Sequence, residues 1–315
     1  MKNYSNLTTK GQVRRLRTLT HNALRKFGFN QYRLRFLQHL DNTTFSLVCD
    51  AARYLVRVHR VQAHMPRRIE SEFAWLKALS HDTKISVQIP QCSPDGKMVV
   101  MAEALGVPEP YPVSVLSWLN GRILRQDHRS PRHFDQLGQL VAQIHNHSQR
   151  WARPSWFDRP TYDSYGLFGQ DGLLRLDVID LKHLPGGVQN DLKILRERLQ
   201  EAEQKLGTDP TIFGLIHFDL SFGNVLFTND EVLPIDFDNC GFGYYLFDLA
   251  VILAGPYERP GFKERRENLV RGYREVRELS DDLLELIPTC MAVRAALLKQ
   301  WERVHSLLNQ SYPSL

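Results

Sequence analysis

Cysteine is scarce: 315 residues carry only Cys49, Cys92, Cys240 and Cys290, with no CxxC pair and no zinc-ligand spacing. No cysteine-bound zinc module is indicated, and a reduced, cytoplasmic protein is expected. Long apolar runs are also missing. The longest, Tyr244 to Pro256, is interrupted by Asp248 and falls short of the roughly 18 residues of a membrane span. The opening stretch, MKNYSNLTTKGQVRRLR, lacks the apolar core of a secretory signal. Neither sign of charge dominates: 40 Lys and Arg against 35 Asp and Glu leave a formal +5. So mild an excess, spread along the chain, gives no reason to expect nucleic acid or a membrane as partner. The densest basic stretch, Arg14, Arg15, Arg17, Arg25 and Lys26, lies in an amphipathic segment and reads as a solvated helix face. No repeat, low-complexity tract or signal of oligomeric state is present.

What the chain does have is enough apolar residues, 43%, to build a substantial core. Val13, Leu16, Leu19, Ala23 and Leu24 recur at helical spacing and predict a helix from about Thr8 to Phe27, stopped by Gly28. Between Tyr32 and Arg60 the alternations Phe45, Leu47, Cys49 and Tyr54, Val56, Val58 predict two antiparallel strands. Pro66 is placed to open a helix carrying Ile69, Phe73, Leu76 and Leu79. Further strands are expected at Val99 to Ala102 and Val113 to Trp118, giving a small antiparallel lobe that ends near residue 116. After Gly121 the pattern turns helical. Phe134, Leu137, Leu140, Val141, Ile144 and His145 share one helix face, Asp191 to Lys205 looks helical, and helices broken at Gly255, Pro256, Pro260 and Pro288 follow Asp248. The stretch from Trp151 to Gly187, rich in aromatics, Pro and Gly, carries little pattern.

The segment IFGLIHFDLSFGNVLFTNDEVLPIDFD, Ile212 to Asp238, places polar residues where a purely structural strand would not. Its apolar runs Asn224 to Phe227 and Val232 to Asp236 flank the turn residues Thr228, Asn229, Asp230 and Glu231 and predict a hairpin. With Phe227 facing Val232, Asn224 comes beside Ile235 and Asp236. A carboxamide oxygen and a carboxylate at one hairpin end suit magnesium, which takes oxygen ligands together with phosphates and water. Asp219, just upstream, would face the same spot. Phosphoryl transfer needs a carboxylate to take the hydroxyl proton, a metal to neutralise phosphate charge, and alignment.

The pattern His217-Phe-Asp219 followed by Asn224 has the layout of the kinase catalytic loop H-x-D-x-x-x-x-N, and Asp236 stands where the DFG aspartate would. LIHFDLSFGNVLF, LPIDFD and the later Asp248-Leu-Ala resemble the aminoglycoside phosphotransferase superfamily, which includes choline kinases, type II homoserine kinases and bacterial stress-response kinases. NTTFSLV, YLVRVHR, IESEFAWLKAL, SWLNG and LGQLVAQIH extend that resemblance over most of the chain, nearest to the homoserine-kinase and stress-kinase branch. The resemblance implies an α+β, two-lobed, protein-kinase-like fold: an antiparallel-sheet lobe over 1–116, a hinge at 117–121 and a helical lobe over 122–315. It further implies transfer of the γ-phosphate of ATP to a hydroxyl of a small molecule, with Asp219 as base and His217 shaping the loop. Asn224 and Asp236 would be the Mg2+ ligands, and Asp248 a brace for the loop. Asp238 either joins the metal site or caps the following loop.

On the nucleotide side, the resemblance puts Arg57 where the phosphate-binding lysine of kinases stands. Helical phase selects its partner, because at about 100° per residue Glu72 lies beside the stripe of Ile69, Phe73 and Leu76 while Glu70 points away. No GxGxxG is present, so Asp41-Asn42-Thr43-Thr44 would cover the phosphates, and Ser117, Trp118 and Leu119 would meet adenine. Phe218 replaces the glycine often found after the histidine, and Ser221 replaces a second histidine. Trp151, Trp156, Phe157, Tyr162, Tyr165 and Phe168 read either as core or as lining of the acceptor pocket. Two further functions stay open: a protein serine/threonine kinase, and a pseudokinase scaffold, which the joint presence of Asp219, Asn224 and Asp236 argues against.

Overall fold

The computed structural model describes residues 3–50, 52–60, 66–169, 172–174, 186–254 and 261–310. The chain divides into two units, one of Met1–Asn120, Ser155–Asp158 and His305–Leu315, the other of Gly121–Pro154 and Arg159–Val304.

In the first unit, helix α1 (Thr9–Lys26) starts where the Thr8 hydroxyl accepts the Gly11 N–H at 3.3 Å. It ends where Gly28 takes φ +86°, so that Gly28 N–H reaches the Arg25 carbonyl and Phe29 N–H the Leu24 carbonyl. Its stripe of Leu16, Leu19, Ala23 and Leu24 is buried against a five-stranded antiparallel sheet of order β1-β2-β3-β5-β4. The strands are β1 (Arg33–His39), β2 (Thr43–Cys49), β3 (Ala52–Val58), β4 (Val100–Ala102) and β5 (Tyr111–Ser117). Phe45 pairs with Val56, Val56 with Val115 and Val58 with Val113, which puts one apolar face of the sheet into the core shared with α1. Since side chains alternate along a strand, Arg57 must point from the other face. There it meets α2 (Pro66–Asp82), whose Ile69, Phe73, Leu76 and Leu79 are buried.

Between Tyr32 and Arg60 the structure holds three strands, where the alternation predicts two. The additional one, β1, is an edge strand, mostly exposed, with a register shift between Phe36 and Gln38. A strand that buries little shows little alternation.

The second unit is mainly helical. It contains α3 (Pro131–Arg150), α4 (Ser164–Phe168), α5 (Gly186–Leu206), α6 (Leu246–Leu253), α7 (Phe262–Arg274), α8 (Asp281–Leu284) and, up to Val304, α9 (Ile287–Gln310). Two small antiparallel pairs are set among them: β6 (Phe213–Ile216) with β9 (Gly241–Tyr244), and β7 (Val225–Phe227) with β8 (Val232–Pro234). α3 buries Phe134, Leu137, Leu140, Val141, Ile144 and His145. It crosses α7 at two glycines: a Cβ on Gly138 would lie 2.1 Å from the Leu269 carbonyl oxygen, and one on Gly272 2.0 Å from that of Asp135. Only bare backbone allows this approach. Pro288 opens α9 from its second position and does not break a helix. Gly255, Pro256 and Pro260 lie outside the described residues. No helix among the described residues is long and apolar enough to cross a membrane.

Candidate active site

The loop from His217 to Asn224 leaves the end of β6 and is fixed from beneath by α6. Asp248 accepts the His217 N–H on Oδ2 at 2.9 Å and the Phe218 N–H on Oδ1 at 2.7 Å. His145 of α3 adds its Nε2 to Asp248 Oδ2 at 3.1 Å, and its Nδ1 lies 3.0 Å from the Tyr273 hydroxyl. Burial holds the His145 pKa below its ordinary value despite the neighbouring Asp248 carboxylate. A neutral ring with its proton on Nε2 satisfies both contacts, donating to the carboxylate and accepting from Tyr273. The tight α3–α7 crossing is what brings Tyr273 within reach.

Phe218 sits at φ +68°, a left-handed conformation that glycine adopts without strain and phenylalanine does not. The ring is stacked between Tyr162, centroids 3.5 Å apart, and Phe247, 4.8 Å apart. Burial and stacking of the ring offset the backbone cost. His217, fully buried, approaches the Ile235 carbonyl oxygen through Nε2 at 3.1 Å. It thereby ties the loop to the β7–β8 hairpin.

That hairpin pairs Phe227 with Val232 and Val225 with Pro234, and Ile235 N–H donates to the Asn224 carbonyl at 3.0 Å. The Asn224 amide nitrogen donates to the Asp219 carbonyl oxygen at 2.8 Å and to Asp219 Oδ2 at 2.9 Å. Its carboxamide oxygen is therefore turned away from Asp219. One residue beyond Ile235, Asp236 takes φ +66°, ψ +61° and caps a 3-10 turn over Phe237–Asn239 that holds the buried Asp238. Arg159 clamps this turn, donating Nε to the Cys240 carbonyl at 2.5 Å and Nη2 to that of Asp238, while the Tyr162 hydroxyl donates to Asn239 O at 2.7 Å.

Among the described residues no three His, Cys, Asp or Glu side chains group as a metal site. The donors on the hairpin are one carboxamide oxygen and one or two carboxylates, a set that suits magnesium when phosphate oxygens and water complete the shell.

Sequence reasoning missed Arg294. This α9 residue places Nη2 on Asp219 Oδ1, with the two side chains 13% and 23% exposed. A signal was present: Arg294 is the lone charge between Glu285 and Lys299, in the mostly apolar first half of α9. Arg159 gave no comparable sign. Of the six aromatics expected in the core or around an acceptor, Tyr162 and Phe168 are buried, and Trp156 and Tyr165 are exposed.

In the first unit, Arg57 Nη1 donates to Glu72 Oε1 at 2.8 Å, with both side chains almost wholly buried. Asn42 is buried at the β1–β2 turn, and its carbonyl accepts the Leu40 N–H at 3.1 Å. Ser117 ends β5, exchanging its N–H and hydroxyl with the Ile89 backbone at 2.8 Å each. The Arg53 guanidinium lies 3.6 Å from the centroid of the Trp118 ring. Leu119 is half-buried.

Residues 33–283 match the model of one protein family, described as the phosphotransferase enzyme family. The chain belongs to that family. As a phosphotransferase it is an enzyme, a kinase with an alcohol group as acceptor. It is 24% identical to amicoumacin kinase of Bacillus subtilis strain 168 over 303 residues, 92% of this chain and 84% of that one. Homoserine kinase of Rhizobium rhizogenes strain K84 is 27% identical over 191 residues, 59% of this chain and 56% of the relative. Among solved structures, a microcompartment-associated aminopropanol kinase superimposes with a TM-score of 0.78 at 30% identity, over 90% of this chain and 88% of that one. An amicoumacin kinase in complex with AMP-PNP and Ca2+ shares the fold, with a TM-score of 0.77 at 21% identity over 93% and 87% of the two chains. The phosphotransferase fold is thus α+β and protein-kinase-like, an antiparallel-sheet unit joined to a larger, mainly helical one.

Proposed function

We propose that this phosphotransferase moves the γ-phosphate of ATP to the hydroxyl of a small molecule, with Asp219 as the base. The observation that carries this reading is the Asp219 carboxylate, whose Oδ2 accepts from the Asn224 amide nitrogen, which leaves the Asn224 oxygen turned away from Asp219. Asn224 and Asp236 would hold Mg2+, with Asp238 adding a carboxylate from the following turn. When bound, the ion would neutralise charge on the phosphates. His217 shapes the loop through Ile235, and Asp219 would take the acceptor's proton as the oxygen bonds to phosphorus.

In the first unit Arg57, fixed by Glu72, would grip phosphate oxygens with its planar fork. Asn42 would lie over the phosphates, and the backbone of Ser117, Trp118 and Leu119 would meet the adenine. Residues 117–121 would serve as the hinge that follows the sheet lobe. Homoserine and aminopropanol are both amino alcohols, which makes an amino alcohol the acceptor class to try first. The scattered cysteines support a cytoplasmic location.

The test is Mg2+-dependent ADP release from ATP with homoserine, 1-amino-2-propanol, ethanolamine, choline, amicoumacin and aminoglycosides in turn, with Asp219→Ala as the blank. The expected result is stimulation by one acceptor class and loss of turnover by orders of magnitude in the variant, which still binds ATP. Near-normal turnover by Asp219→Ala would sink the assignment of the base. Phosphate entering added protein but no metabolite would transfer the reading to a protein kinase.

A further inference from the structure

The structure assigns Arg294 as the positioning residue of Asp219, an inference that rests on the reading of Asp219 as the base. A carboxylate rotates freely about its last bond, because that torsion has a broad two-fold profile. Asn224 holds Oδ2 alone and leaves the plane of the group free to swing about that contact. Arg294 on Oδ1 takes away that freedom. With both oxygens held, only the remaining lone pairs are left for an incoming hydroxyl, in a direction set by two separate elements, the β7–β8 hairpin and α9.

Two features separate this contact from an ordinary surface ion pair. Arg294 stands on a helix anchored by the buried side chains of Ile287, Cys290, Met291 and Val293, so the guanidinium is delivered from a fixed base. Its Nε is sealed from solvent and has no hydrogen-bond partner among the described residues. Burying a donor without a partner costs free energy, and the contact with Asp219 is the interaction that offsets it. The guanidinium also sets a cation beside a carboxylate that has to work close to a polyanionic nucleotide. In phosphoryl transfer the protein contributes mostly alignment, and a small displacement of one group is costly.

The experiment uses the full chain as wild type, Arg294→Ala, Arg294→Lys, Asp219→Ala and the Asp219→Ala/Arg294→Ala double variant. ATP binding is followed by thermal shift, and kcat and KM are measured with the best acceptor. We expect Arg294→Ala to bind Mg-ATP as the wild type does, to lose about 10- to 100-fold in kcat and to keep its acceptor KM within about threefold. Arg294→Lys, which retains the charge without the planar fork, should recover part of that loss, and it serves as the test should the alanine variant fail to fold. Removing Arg294 in the Asp219→Ala background should cost nothing further, because the arginine acts through the carboxylate. Three results overturn the inference: unchanged kcat in folded Arg294→Ala and Arg294→Lys, a rise in kcat, which would make Arg294 a latch on the base, or a loss confined to the KM of carboxylate-bearing acceptors. Normal turnover by Asp219→Ala would remove the base itself, an outcome distinct from all three.

Discussion

Asp248 receives the backbone N–H of His217 on one carboxylate oxygen and that of Phe218 on the other. Two consecutive amides are thus aimed at one buried anion, and the chain entering the loop can leave β6 in only one direction. His145 completes the acceptor's shell from α3.

Asp248→Asn is expected to keep one of these contacts and to set an NH2 group against a donor at the other. Hydrogen bonds to a charged group contribute about 1.5–3 kcal/mol, and a buried donor left unmade adds a penalty of similar size. A loss of about 2–4 kcal/mol in urea unfolding, with kcat lowered at least about tenfold, should follow. A variant with wild-type kcat would mean that the loop keeps its shape without the anion.

Arg57 and Glu72 form a pair that is almost closed to water. Arg57→Ala should destabilise the protein by about 3–5 kcal/mol, because a carboxylate is left buried without its partner. Arg57→Met combined with Glu72→Leu removes both charges at similar volume and should recover most of that stability without recovering ATP affinity. Urea unfolding and titration calorimetry separate the two effects. A double variant that binds ATP like the wild type would take the pair out of the nucleotide site.

His145 gives the stability of the fold a pH dependence with a definite sign. Its folded pKa is depressed by burial, so below the ordinary value of 6.5 the unfolded chain binds a proton that the folded one refuses. Stability is therefore unaffected by this group above about pH 6.5 and falls as the pH drops towards the folded pKa. The unfolding midpoint, measured from about pH 8 down to about pH 5, should decline more steeply in the wild type than in His145→Gln. Equal slopes would show that other groups carry the acid sensitivity. His21, His39 and His133 are depressed in the same direction, so the variant is expected to flatten the profile without abolishing it.

The parts legible in the sequence are those where local pattern and burial agree. The β7–β8 register follows from two short apolar runs and a polar turn, and α1 from one stripe and a glycine. Helical phase separates Glu72 from Glu70, and Glu72 is the residue that Arg57 meets. β1 was hidden because an exposed, bulged edge strand has no buried face to print on the sequence. Phe218 was legible only as a departure from a pattern. The Tyr162 and Phe247 rings that make its left-handed backbone tolerable come from 56 residues upstream and 29 downstream, counted from the residue numbers of the stacked pairs. Arg294 lay further still, 75 residues from its partner, where spacing says nothing about contact.

That separation also sets an order of events during synthesis. The hairpin that orients Asp219 is complete once the chain has grown past Pro234, whereas the arginine on its other oxygen is added 75 residues after Asp219. From Pro234 to Arg294 is 60 residues, which the ribosome covers in about 3–12 s at about 5–20 residues per second. For those seconds the nascent chain carries a loop whose carboxylate is held on one side only, and a chain arrested there would keep the hairpin without the second contact.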